Sequence, residues 1–234
     1  MGIIQKQGIA NTIISYLGIL IGFVNVLILQ PYMLDPDEIG LTRILFSLAT
    51  LFATIFPLGL TGVIVKFLPE YRDDKVNKGF LGFILLLTIT FYLIFTVFYF
   101  IFKDNFFSLY YNNSKLFWEF SYFVLPISMF IGFSNILGIY LFATFRSTIP
   151  TAINDIFVRL FSVALTSLYF LKLFNLKTFV LLFALGFFCQ TFLLIYYIVN
   201  KDGVSAFRFS TIIANKINFK RFMVFAFSVS LMTI

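Results

Sequence analysis

Apolar runs of about 20 residues, separated by short polar breaks, recur along the whole chain. As helices rising about 1.5 Å per residue, such runs are long enough to cross a hydrocarbon core of ~30 Å. The pattern predicts six complete spans, roughly Ile9 to Gln30, Ile44 to Val65, Gly79 to Phe102, Leu116 to Phe145, Ile149 to Leu171 and Thr178 to Val199. A seventh begins near Phe222 and is expected to be cut short, because the residues from Phe222 to Ile234 rise only ~20 Å. Lipid offers no partner for an unpaired backbone N–H or C=O, so the expected fold class is an all-α integral membrane protein. Its expected organisation is a six-span bundle over 1–200, a linker over 201–221 and the start of a further span over 222–234.

Polar residues fall on single faces of particular spans. In the first, Asn11, Ser15, Gly18, Gly22 and Asn25 follow at steps of four and three, which keeps them on one side of a helix. The second repeats this with Ser47, Thr50, Thr54, Pro57 and Thr61, the fourth with Ser128, Gly132, Asn135 and Gly138 beneath Pro126. The fifth has Ala152, Asp155, Arg159, Ser162 and Thr166. Spans three and six lack such a stripe and are expected to be the lipid-exposed members. Small and hydroxyl residues let helices pack closely in lipid, and the same stripes also suit a shared water-accessible cavity. Pro57 and Pro126 are candidate hinges, since proline removes an intrahelical hydrogen bond and kinks a helix.

Asp155 and Arg159 stand four residues apart inside one apolar run. A charged side chain at bilayer depth costs at least ~2.5 kcal/mol on insertion scales, so it should face protein or water and find a partner. Three readings are open. The helix starts late and leaves Asp155 at headgroup level, the pair pins this helix to a neighbour, or Arg159 offers a bidentate anion site that Asp155 holds in place.

Composition sharpens the class. The 234 residues are 61% hydrophobic and 12% charged, with a mean hydropathy of +1.00, far from a soluble domain. Lys6, Lys66, Arg72, Lys75, Lys78, Arg146, Lys201, Arg208, Lys216, Lys220 and Arg221 fall on the N-terminal side of the spans. Only Arg43, Lys103, Lys115, Lys172 and Lys177 lie opposite, which predicts a cytoplasmic N-terminus. The net charge of +7 is then topological, directed at membrane lipids rather than nucleic acid. Phe209, Ile212, Ile213 and Ile217 recur at helical spacing among basic residues, and predict a helix lying on the cytoplasmic surface. With one Cys and no His, a disulfide framework is excluded, and neither a metal site nor a cofactor is indicated.

"LDPDEIGLTRIL", from Leu34 to Leu45, and "GLTGVIVKFLPEYRDD", from Gly59 to Asp74, together with the fifth-span start "IPTAINDIFVRL", resemble the polysaccharide transporter branch of the MOP flippase superfamily. The resemblance implies the N-terminal lobe of a MATE/MOP-like two-lobed transporter. It also implies alternating access, with a polyprenyl-pyrophosphate-linked oligosaccharide as the partner carried and a coupling ion, Na⁺ or H⁺. Asn25, Asn135, Asp155 and Arg159 are the candidate ligand-facing residues. A cation-coupled multidrug exporter of the same superfamily is the alternative, and it would call for an acidic cavity. An enzyme would call for a placed His or carboxylate pair, which the sequence lacks. A membrane scaffold or nonfunctional fragment is the third reading.

Overall fold

The computed structural model describes residues 2–69, 74–111, 115–207 and 219–233, and every regular element among them is helical. Six helical runs are long and apolar enough to cross a membrane: Gln5–Met33, Pro36–Ile55, Gly79–Lys103, Leu116–Ala143, Thr148–Phe170 and Leu176–Asp202. A seventh helix covers Phe219–Thr233. The surface helix expected around Phe209, Ile212, Ile213 and Ile217 lies outside the described residues.

The second span departs most from its sequence reading. It begins at Pro36, about two turns before the expected Ile44, and the Glu38 carboxylate accepts a hydrogen bond from the Asp35 N–H at 3.1 Å. Pro at the first helical position and Glu two residues later satisfy or dispense with orphan donors at a helix start. Near its far end the helix stops at Ile55, and a new one runs Leu60–Phe67. Between them lie Pro57, Leu58 at φ +46° and Gly59 at φ +72°, so the proline marks a full break rather than a kink. Phe56 at this break packs into Gly132 of the fourth span, where a Cβ would come within 2.2 Å of its ring.

Pro126 also sits beside an irregularity. The fourth span is built from Lys115–Phe120, a tight turn at Ser121–Phe123 and the helix Val124–Ala143. Pro126 falls in the first turn of that last helix, where its missing N–H leaves no bond unmade. The Tyr92 hydroxyl of the third span donates to the neighbouring Leu125 carbonyl at 3.2 Å.

This fourth span is the axis of the bundle. Two apolar clusters share it: one joins Ile136 and Leu141 to Leu60, Phe80, Leu194 and Phe222, the other joins Val124 and Ile127 to Leu45, Ala53 and Phe179. Rings interlock at the second cluster's edge, with Phe52 and Phe56 meeting Phe95 and Tyr92 at centroid distances of 5.1 and 5.3 Å. The polar stripe of the fourth span is spent in this packing. Gly138 lies against Pro150, and the Ser128 hydroxyl donates to Leu125 in its own helix.

Spans three and six are not the most exposed members. Only 11% of the apolar window is buried in the first and fifth spans, against 33% and 44% in the third and sixth. Hydropathy does not separate the two environments, because lipid tails are as apolar as a leucine-lined helix contact. At the end of the sixth span, Asp202 pairs with Arg146 at 2.7 Å and so ties the turn between spans four and five to that end.

Gly59 is where the fold tolerates least. A Cβ there would lie 2.2 Å from the Ala226 carbonyl oxygen of the seventh helix, in a left-handed conformation that side chains disfavour. Gly59→Val is expected to cost at least about 2 kcal/mol and to lower the thermal unfolding midpoint in detergent. Gly40→Ala, where nothing lies within 4 Å, is expected to leave it unchanged.

Candidate functional site

The polar stripes of the first and fifth spans close on one another. From one end to the other, the Asn11 amide donates to Ser147 at 2.9 Å, Ser15 donates to the Asp155 carboxylate at 2.7 Å, and the Asn25 amide donates to Ser162 at 3.0 Å. Two glycines of the first span sit between these bonds. A Cβ at Gly18 would fall 2.6 Å from the Asp155 carbonyl oxygen, and one at Gly22 would fall 3.0 Å from the Arg159 Nη1. These spans meet as closely as they do because both positions lack a side chain.

Both helices widen along this seam. In the first, the turn Asn25–Leu29 is a π-helix, with the Gln30 N–H reaching back to the Asn25 carbonyl. Pro31 follows at once, and the extra residue relieves the crowding its ring would impose on the carbonyl four positions back. In the fifth, Ile153–Phe157 forms a second π-turn. Within it adjacent residues meet different neighbours: Asn154 accepts from the Gln190 amide of the sixth span at 2.6 Å, and Asp155 accepts from Ser15 of the first.

Past the point where the stripes touch, a cavity of about 630 Å³ opens between the first, second, fifth and sixth spans. Its polar lining includes Asn25, Arg43, Asn154, Arg159 and Ser162, and its remaining walls are largely apolar and aromatic. Phe179, Phe183 and Phe187, one turn apart along the sixth span, form one such wall. Arg159 stands midway along Thr148–Phe170. Its guanidinium is 3.9 Å from the Asp155 carboxylate, at the outer limit of an ion pair, and its side chain is 34% exposed. The guanidinium keeps donors free for a ligand.

Of the four residues singled out from sequence, Asn25 and Arg159 line this cavity, and Asp155 stands directly behind Arg159. The helix begins at Thr148, about 10 Å along the axis before Asp155, so Asp155 lies two turns inside the helix rather than at its start. Asn135 is not brought there. It is half-buried on the fourth span, away from the lining. The second-span stripe is also elsewhere: Ser47 and Thr54 are exposed, and Thr50 and Thr54 donate to carbonyls of their own helix.

Arg43 was missed as a site residue because it was assigned to a loop. The Asp-Pro-Asp-Glu run at Asp35 to Glu38 is a helix-start signature that moves it two turns inside. The sixth span was missed because it contributes phenylalanines to the cavity wall, and its buried polar residues Gln190 and Thr191 form no stripe. Among the described residues, the amide oxygens of Asn11, Asn25 and Gln190 are buried without a hydrogen-bond partner. A buried acceptor left unpaired costs ~1–3 kcal/mol, and Asn25 is the one of these on the cavity wall.

A family model described as "Polysaccharide biosynthesis protein" matches residues 4–234. No curated protein and no solved structure matches the chain.

The seam predicts a cross-link. In a Cys189→Ser background, Asn25→Cys with Ser162→Cys is expected to oxidise readily to a disulfide, read as a mobility change on gels. Adding Gly18→Val is expected to reduce that yield severalfold by forcing the two spans apart.

Proposed function

The chain belongs to the polysaccharide biosynthesis protein family, whose members are transporters rather than enzymes, and from that membership we propose that it flips a lipid-linked oligosaccharide. The cargo is a polyprenyl-pyrophosphate-linked oligosaccharide, moved from the cytoplasmic to the outer leaflet for cell-surface polysaccharide synthesis. The observation that supports this most is the cavity with two guanidinium groups, Arg43 and Arg159, set among aromatic walls.

A pyrophosphate linked to an isoprenoid is an amphipathic anion, and the lining suits its parts separately. Guanidinium groups match phosphate oxygens bidentately. The phenylalanine wall of the sixth span suits an apolar chain, and the unpaired Asn25 oxygen suits a hydroxyl donor. Gly22 leaves room for the Arg159 side chain beside the first span. In this reading Asp155 keeps Arg159 oriented when the cavity is empty, and its carboxylate, held by Ser15, is also where a coupling Na⁺ or H⁺ would act.

Transport proceeds by alternating access. In this reading the spans over 1–200 act as one lobe, with 201–221 as the linker to the seventh helix. The breaks beside Pro57 and Pro126 are the places in this lobe where helices bend without losing further hydrogen bonds. The basic ends carrying Lys66, Arg146 and Lys201 face the cytoplasm of an inner-membrane protein, as does the N-terminus. The multidrug alternative is disfavoured, because among the described residues none of those lining the cavity is acidic.

Complementation of a flippase-deficient strain tests this. Arg159→Ala and Arg43→Ala are each expected to cut surface polysaccharide at least about tenfold while membrane insertion stays intact. Arg159→Lys is expected to fall between, since an ammonium cannot make the bidentate contact. Wild-type transport in Arg159→Ala would remove that residue from the cargo site.

A further inference from the structure

A second pocket lies at the end of the bundle opposite the N-terminus, between two turns. The first span ends at Met33 and the second starts at Pro36, while the fifth ends at Phe170 and the sixth starts at Leu176. Together these turns enclose about 710 Å³, within the ~300–1,000 Å³ of small-molecule sites. Leu34 walls both this pocket and the guanidinium cavity. Arg43 stands two turns into the helix that starts at Pro36, about 10 Å along its axis.

Hydrogen bonds hold the frame of the pocket. The Glu38 carboxylate accepts from the Tyr169 hydroxyl with one oxygen and from the Asp35 N–H with the other, which clasps the second span to the fifth. The Tyr169 ring is seated on Phe179 of the sixth span, with centroids 4.9 Å apart. The Asn175 side-chain oxygen accepts from the Thr178 N–H and hydroxyl at 3.0 and 2.9 Å. That bond starts the sixth span and leaves the Asn175 NH₂ as the donor it offers the pocket.

The ligand-facing groups are then the Asp35 carboxylate, the Lys172 ammonium and the Asn175 NH₂, beside the rings of Tyr32 and Phe170. Those rings come from different spans, meet at 5.8 Å with their planes inclined by 43°, and are parts of residues 76% and 45% exposed. Aromatic residues at span ends ordinarily anchor a helix at the membrane interface. Here they share a ligand-sized pocket with charges of both signs and an amide, which is more than an anchor uses. An anion would meet Asp35 and a cation would meet Lys172, whereas a neutral molecule rich in hydroxyls can satisfy both, because each hydroxyl donates and accepts. The apolar C–H face of a pyranose suits the ring faces.

We propose that this pocket binds a sugar ring of the cargo, its C–H face on Tyr32 and Phe170 and its hydroxyls on Asp35, Lys172 and Asn175. The proposal rests on the flippase reading for the identity of the glycan, and adds a second point of contact to it. Arg43 and Arg159 hold the pyrophosphate, which all such cargoes share, and this pocket reads the sugar, in which they differ.

The test is thermal unfolding of the full chain in neutral detergent, titrated with undecaprenyl pyrophosphate or with the lipid-linked oligosaccharide that accumulates in the flippase-deficient strain. The wild type is expected to bind the glycosylated lipid at least about fivefold more tightly than the sugarless one. Tyr32→Ala and Asp35→Asn are each expected to remove most of that difference and to leave binding of undecaprenyl pyrophosphate unchanged. Asp35→Asn keeps a helix-capping side chain, so it remains available if Tyr32→Ala does not fold. Tyr196→Ala, which removes a ring 59% exposed on the sixth span, is expected to alter neither titration. Equal binding of the two lipids by the wild type would overturn the pocket and leave the flippase reading standing. So would an equal loss of both in Tyr32→Ala, or a saturable response to phosphatidylethanolamine that Tyr32→Ala abolishes. Binding of neither lipid would overturn the flippase reading and the pocket's ligand with it.

Discussion

A guanidinium placed midway along a membrane-length helix has to be kept from lipid, and the meeting of the first and fifth spans is built around that requirement. An uncompensated Arg at such depth costs at least ~2.5 kcal/mol. Here Gly22 leaves space beside Arg159, Gly18 lets the backbones touch at Asp155, and Ser15 holds the carboxylate that stands behind the guanidinium. The arrangement leaves Arg159 loosely paired and facing open volume. A tighter pair would satisfy both charges and leave nothing for a ligand, whereas none at all would leave a charge facing the seam.

The two π-turns belong to the same arrangement. A π-turn adds a residue to one turn and so shifts the side-chain register across it. In the fifth span Asn154 is turned to the sixth span and the adjacent Asp155 to the first, as successive residues of a helix point to different sides. The fifth span thus joins the first and sixth by side-chain hydrogen bonds and still presents Arg159, Ser162 and Thr166 to the cavity between them.

The fourth span gives the rest of the bundle its rigidity. It is the most buried of the six, and both apolar clusters run through it. The second span is locked to it by Phe56 in the gap at Gly132, directly beside the Pro57 break. The break is thus anchored on one side by the central helix and on the other by the seventh helix at Gly59. A movement of the seventh helix therefore acts on the second span at the one place where that span's hydrogen-bond ladder is already interrupted.

The sequence by itself determined the class. Apolar runs of membrane length admit only helices when no closed barrel is available, and the six spans follow from that constraint. It also determined that Asp155 and Arg159 share a helix face, because a separation of four residues fixes this before any packing is known. It carried the Asp35 to Glu38 start signal that makes Arg43 a helix residue, although the apolar run placed the boundary later. What each polar stripe touches was decided only by tertiary structure. Small and hydroxyl residues at helical spacing look alike whether they zip two spans together, as in the first and fifth, fill a tight crossing, as at Gly132, or face outward, as at Ser47 and Thr54. Lipid and protein interior are equally apolar, so hydropathy could not tell that the sixth span, with its phenylalanines, would wall the cavity while the first and fifth lay at the bundle's exposed side.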